Sequence, residues 1–100
     1  MGVVPAPGCE VSRAPDIARR AAELIEERGA DRDTDGERTM GRAVAAFNAL
    51  RDADLTESEG WLLLMLLKQS RAAGGRFCRD DHDDTVGYAA LKAEAELDGR

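Results

Sequence analysis

The sequence predicts an all-α protein, a single-domain, four-helix, bundle-like fold completed by oligomerisation. Three observations carry this. Seven consecutive residues, Trp61 to Leu67, are large and apolar, and a helix that is apolar all round must be covered on all sides. Met40, Val44, Phe47 and Leu50 recur at spacings of 4, 3 and 3, which marks one face of a helix. No stretch alternates as a half-buried strand does, and no internal repeat is visible.

One hundred residues make one domain. Residues 1–13 hold two prolines and two glycines and read as a flexible N-terminal arm, leaving 14–100 as the α-helical domain. Pro15 and Asp16 suit a first helical turn. The first helix is expected to run to about Arg28 and stop at Gly29, with Ile17, Ala21, Leu24 and Ile25 as its buried stripe. A polar loop follows over 29–38, and a second helix runs from about Thr39 to Arg51.

The third helix is expected from Glu57 to Ala72. Thr56 and Glu59 form a capping box, in which hydroxyl and carboxylate each satisfy an orphan backbone N–H. Leu and Met dominate the apolar run and no residue in it is β-branched, so helix is favoured over strand. The run is too short for a bilayer, which takes about 20 residues. Gly74 and Gly75 supply the stop. The fourth helix is expected from Asp80 or Asp81 to about Leu97, with Val86, Ala89, Ala90, Ala93 and Leu97 inward and Gly99 ending it.

The net charge of −6 argues against a main role on nucleic-acid backbone. Cys9 and Cys78 fit neither a disulfide framework nor a CxxC metal site, and free thiols are the default. Met1 to Glu10 has no basic segment followed by a long apolar core, so no signal peptide is read there. The expected setting is cytoplasmic, with no membrane partner and no direct nucleic-acid binding.

Four constellations could carry chemistry. Asp31, Asp33, Asp35 and Gly36 open an EF-hand-like loop, but the expected bidentate Glu is Arg42 and the usual apolar position is Arg38. The ordinary alternative is a solvated loop whose carboxylates pair with Arg32 and Arg38. Asp80, Asp81, Asp83 and Asp84 surround His82. Asp80–Asp84 and Asp81–Asp84 share helix faces, so they either hold Mg²⁺ or Mn²⁺ or serve an acidic helix start. Lys68 and Arg71 end the apolar helix, where cations meet phosphates or simply complement the dipole. Glu23, Glu26 and Glu27 lie near Arg19 and Arg20, as ordinary surface ion pairs do. No P-loop, GxSxG, HExxH or GxGxxG is present.

Glu37-Arg38-Thr39-Met40, Ala46-Phe47-Asn48, Glu59-Gly60-Trp61, Lys68-x-x-Arg71 and Asp80-Asp81-x-x-Asp84 with Gly87-Tyr88 together resemble a family of small phage-borne α-helical proteins. The match spans about residues 15–97. That family is similar in turn to the MazG-like all-α nucleoside triphosphate pyrophosphohydrolases, whose EExxE and ExxD helices hold Mg²⁺ or Mn²⁺. Asp81-x-x-Asp84 is similar to the ExxD helix. Glu23-x-x-Glu26-Glu27 has the residue types of the other motif in a different order.

The resemblance implies a metal-dependent enzyme that splits a (deoxy)nucleoside triphosphate into monophosphate and pyrophosphate, with the purines dGTP and dATP as candidate substrates. It implies a homo-oligomer, dimer or tetramer, acting in the cytoplasm, the host's if phage-encoded. It assigns Asp84 and Asp81 to catalysis, and Asp80, Asp81, Asp84, Glu59 and Glu23 to metal. Lys68, Arg71, Arg38, Asn48 and Tyr88 are then expected at the substrate. Trp61 is either a stacking surface for the base or, more simply, core. The alternatives are a non-enzymatic helical interaction module and a divalent-cation-binding protein using the 31–36 loop.

Overall fold

The computed structural model describes residues 13–32 and 39–100. Among them are four helices and no strand: α1 (Ala14–Arg32), α2 (Thr39–Arg51), α3 (Glu57–Gly74) and α4 (Arg79–Leu97). The chain is all-α and bundle-like. α3 and α4 form the main pair, with α1 laid on α4 and α2 on α3. No described helix is long and apolar enough to cross a membrane. Residues up to 12, and with them Cys9, lie outside the described residues, as do Asp33, Asp35, Gly36 and Arg38.

α1 starts where Asp16 accepts from the Arg13 backbone N–H at 3.3 Å and from Arg19 at 2.9 Å. It does not stop at Gly29 but continues to Arg32. A glycine inside a helix costs only about 1 kcal/mol, and Gly29 does not adopt the positive φ that ends a helix. Asp31, the first position of the expected cation loop, therefore sits in the last turn of α1. α2 spans the residues expected of it and ends at Asp52, whose φ is +51°. The Asn48 side chain then fixes the turn, donating to the Leu55 carbonyl and accepting from the Leu55 N–H, both at 2.9 Å.

The capping box of α3 is formed. The Glu59 N–H donates to the Thr56 hydroxyl at 3.1 Å, and the Thr56 N–H donates to the Glu59 carboxylate at 2.8 Å. α3 runs two residues past Ala72 and is closed by Gly75 in extended conformation, φ −145°. Its apolar run is not covered on all sides. Leu63 is 63% exposed and Leu66 55%, with Leu62, Leu67 and the α2 residues Phe47 and Leu50 also exposed. α4 takes one side of α3 and α2 meets it near Gly60. Among the described residues nothing shields the outer face.

α4 departs furthest from its apolar pattern. Val86, Ala90, Ala93 and Leu97, read as inward, are exposed, and Ala89 is half-buried. The buried residues are Asp81, Asp83, Asp84, Gly87 and Ala95. The helix is rotated so that Asp84 meets Lys68 of α3 and Arg28 of α1, an attraction that the small alanines on the other face do not outweigh. At its end Gly99, φ +71°, makes a Schellman turn. The Gly99 N–H donates to the Glu96 carbonyl at 3.1 Å and the Arg100 N–H to the Ala95 carbonyl at 2.7 Å.

Gly60 sets the approach of α2 to α3. A Cβ there would lie 2.5 Å from Met40 Sδ and 2.9 Å from Val44 Cγ2. At Gly87, by contrast, a Cβ would meet Ile25 at 3.7 Å, an ordinary contact. Gly60→Ala is expected to destabilise the fold by about 1–3 kcal/mol through overpacking. Gly87→Ala is expected to be neutral or stabilising by up to about 1 kcal/mol through helix propensity. Urea unfolding of the two variants checks the contrast, and equal effects would mean that α2 is not held at residue 60.

Candidate functional site

α3 and α4 run antiparallel, and cross-links along their seam fix the register. Lys68 pairs with Asp84, Gln69 donates to the Thr85 hydroxyl at 2.9 Å, and Trp61 stacks on Tyr88 with ring centroids 5.7 Å apart. Near the other end Ser58 donates to Glu96 at 3.3 Å and Arg100 pairs with Glu57 at 2.6 Å. The Ser58 N–H, an orphan of the first turn of α3, donates to the Arg100 carbonyl at 3.0 Å. Two helices so registered bring acidic, basic and aromatic side chains to one face.

That face, with α1 and α2 beside it, walls a cleft of about 320 Å³, within the lower range of small-molecule sites. Leu24, Ile25, Met40, Leu64 and Leu91 line its middle together with the Trp61–Tyr88 pair. Asp83, Asp84 and Arg28 stand toward one end of α4, and Glu57, Glu94 and Arg100 toward the other. At 1.5 Å per residue, the ten steps from Asp84 to Glu94 are roughly 15 Å.

Asp84 is the electrostatic centre. Lys68 Nζ lies 2.8 Å from its Oδ2 and Arg28 Nη1 lies 3.0 Å from its Oδ1. The carboxylate is only 8% exposed. Burial pushes its pKa up, but the bonds from Lys68 and Arg28 prevail and hold it below the usual carboxylate value. The hydrogen bond to Asp84 raises Lys68 in turn, against the opposing effect of burial. One carboxylate thus orders two cations at the edge of the cleft. Asp83 beside it is 4% exposed, with Oδ2 at 3.3 Å from Arg79 Nε and Oδ1 buried without a hydrogen-bond partner. An unsatisfied buried acceptor costs about 1–3 kcal/mol.

The other residues singled out in the sequence are dispersed. Asp80 is exposed, and Asp81 is buried but does not line the cleft. Glu59 serves the cap of α3, and Glu23 pairs with Arg20 at 3.1 Å on the exposed surface of α1. Arg19, expected to meet Glu23, pairs with Asp16 instead. Arg71 is exposed, and Asn48 commits its amide to Leu55, away from the cleft, so it is not placed to read a base. Tyr88 lines the cleft, whereas Lys68 reaches its edge through Asp84. His82 is half-buried and stacks on Phe77 at 5.2 Å. Among the described residues, no three His, Cys, Asp or Glu side chains gather as a metal cage.

Trp61 is a cleft wall rather than enclosed core. Arg28, Glu57 and Arg100 belong to the cleft, and the sequence does not mark them as binding residues, whereas Asp83 stands in the acidic cluster read from the sequence. Asp84, Tyr88 and Leu91 follow helical spacing, and that series is the available signal for the true inner face of α4. Arg28 and Arg100 carry none, since each acts on residues far from it in sequence.

A family model described as a domain of unknown function (DUF6378) matches residues 16–96, and the chain belongs to that family. No curated protein and no solved structure matches it. The matched span includes every residue lining the cleft except Arg100.

The Asp84 cluster has a pH signature. A depressed carboxylate contributes stability that is present above its unfolded pKa, about 3.9, and lost as pH falls through its folded value. The stability difference between the native chain and Asp84→Asn is therefore expected to hold steady near neutral pH and shrink below about pH 4. Urea midpoints measured across that range check it. A difference that stays constant to the lowest pH would show that Asp84 gains nothing from Lys68 and Arg28.

Proposed function

We propose that the chain is a metal-dependent (deoxy)nucleoside triphosphate pyrophosphohydrolase of MazG-like type. The observation that carries this reading is Asp84 holding Lys68 and Arg28 together at one end of a cleft walled by Trp61 and Tyr88. The aromatic pair offers the base a stacking surface. The two cations offset phosphate charge as it redistributes, and such electrostatic positioning is most of what phosphoryl substitution asks of a protein. The reaction adds water across the α–β anhydride. The α-phosphorus–oxygen bond to the leaving group breaks, and monophosphate, pyrophosphate and a proton result.

The resemblance brings Mg²⁺ or Mn²⁺ with it. Magnesium is usually held by one or two carboxylates plus the substrate's phosphates, so a three-carboxylate cage is not required. Asp83 and Asp84 are the carboxylates at the cleft edge, and Asp84 would reach an ion only as Lys68 and Arg28 pass from it to the phosphates. Asp80, Glu59 and Glu23, by their positions, are not part of this set. A divalent ion there would polarise the phosphates and activate a water. Asp84 acts from this chain's side by ordering Lys68 and Arg28. A purine deoxynucleotide and a cytoplasmic setting, the host's if phage-encoded, complete the reading.

The exposed leucines of α3 support a second copy as the cover. Of the described hydrophobic residues only Ala21, Val44 and Ala95 are buried, a thin core for 100 residues. The same leucines also favour a second reading, a helical interaction module that binds another protein without turnover.

Two measurements test these readings. Pyrophosphate release from each dNTP and rNTP with Mg²⁺ or Mn²⁺ is expected, and Asp84→Ala is expected to lower it about 100-fold or more, the size of losing an electrostatic stabiliser. Release from none of them, with either metal, would favour the interaction module. Sedimentation equilibrium is expected to give a dimer or tetramer that Leu63→Glu with Leu66→Glu dissociates. A monomer at all concentrations would remove the second copy.

A further inference from the structure

The charges of the cleft are already spent within the fold. Every charged residue on its wall meets an opposite partner: Asp84 holds Arg28 and Lys68, Asp83 meets Arg79, and Arg100 lies 2.6 Å from Glu57 and 3.8 Å from Glu94. A charged ligand must therefore break one ion pair to gain another. The stretch between the two paired ends is apolar, with Leu24, Ile25, Met40, Leu64 and Leu91 around the stacked rings of Trp61 and Tyr88. Both rings keep a donor that the fold does not use. Among the described residues, neither the Tyr88 hydroxyl nor the Trp61 indole N–H has a hydrogen-bond partner, although both side chains are half-buried. Such groups usually find a partner when buried.

Size and chemistry together select the occupant. An apolar cavity of about 150 Å³ takes up benzene, so a cleft of about 320 Å³ has room for roughly two fused rings. Flat faces suit the aromatic pair and the leucines, and one acceptor at the ring edge suits the unused donors of Tyr88 and Trp61. We propose that the middle of the cleft binds an uncharged, flat molecule of two fused rings that carries a carbonyl acceptor. Its binding draws on apolar burial, and the paired charges at the two ends bound the space without being broken. The inference needs neither metal, phosphate nor nucleotide. The base of a nucleotide would compete with such a ring for the same stretch.

The test titrates the full chain with coumarin, free of metal and nucleotide, and follows heat and the emission of Trp61, the single tryptophan of the chain. Quenching of Trp61 is expected, with a Kd of about 0.1–1 mM, the range that ordinary ligand efficiency gives a molecule of about eleven heavy atoms. The affinity is expected to be no weaker at about 1 M salt than at about 0.1 M, since charge attraction, which salt screens, contributes nothing. Coumarin-3-carboxylate, the same rings with one negative charge, is expected to bind at least about tenfold more weakly, because a buried charge without a free partner is costly. Leu91→Asp is expected to weaken coumarin about 10- to 100-fold, the worth of one leucine contact. Ala43→Phe, which fills the cleft from α2, provides a second variant if the first does not fold. No heat and no quenching up to the solubility limit, tighter binding of the carboxylate than of coumarin, or unchanged affinity in a folded Leu91 or Ala43 variant would each overturn the proposal. Coumarin binding to a chain that releases no pyrophosphate from any dNTP would remove the hydrolase and leave the apolar site standing.

Discussion

The buried carboxylate of Asp84, met by Lys68 from α3 and Arg28 from α1, is the contact on which the arrangement of three helices depends. An ionised group that is almost out of solvent needs partners with good geometry, or its burial destabilises the fold. Satisfying it fixes the rotation of α4 about its own axis and the register of α4 against α3. It also fixes how far along α4 the end of α1 lies. The apolar contacts follow from that setting. Gly87 comes to face Ile25 at ordinary contact distance, and Tyr88 falls opposite Trp61.

The far end of the α3–α4 pair is closed by a different device. Gly99 turns the chain back so that Arg100 lies over the first turn of α3. There its guanidinium meets Glu57 and its carbonyl takes the Ser58 N–H. One residue therefore caps α3 and binds α4 to it. The cleft thus has two polar ends, Arg28 with Asp83 and Asp84 at one and Arg100 with Glu57 and Glu94 at the other, and an aromatic middle.

Most of the architecture is legible because it is written locally. Thr56 and Glu59 mark the start of α3, Gly99 marks the end of α4, and the spacing of Met40 and Val44 marks the inward face of α2. Pattern and structure part where distant residues decide. The apolar pattern of α4 points to Val86 and Ala90, while the cations that turn the helix toward Asp84 come from residues 28 and 68. Trp61 reads as core because it begins an apolar run, and only the position of Tyr88 shows that it borders open space. The metal set implied by the resemblance includes Glu59 and Glu23, because residue type cannot reveal that a side chain is engaged in a cap or an ion pair. Gly29 reads as a stop because composition cannot tell a glycine at a helix end from one inside it.

The missing side chain at residue 60 has a bearing on the cleft that no lining residue has. Met40 and Ala43 of α2 form part of its wall, and their distance from Trp61 follows from how closely α2 can settle on Gly60. Added bulk at that position presses on Met40, itself a wall residue, and on Val44 beside it. The width of the cleft thus depends on a position behind its lining.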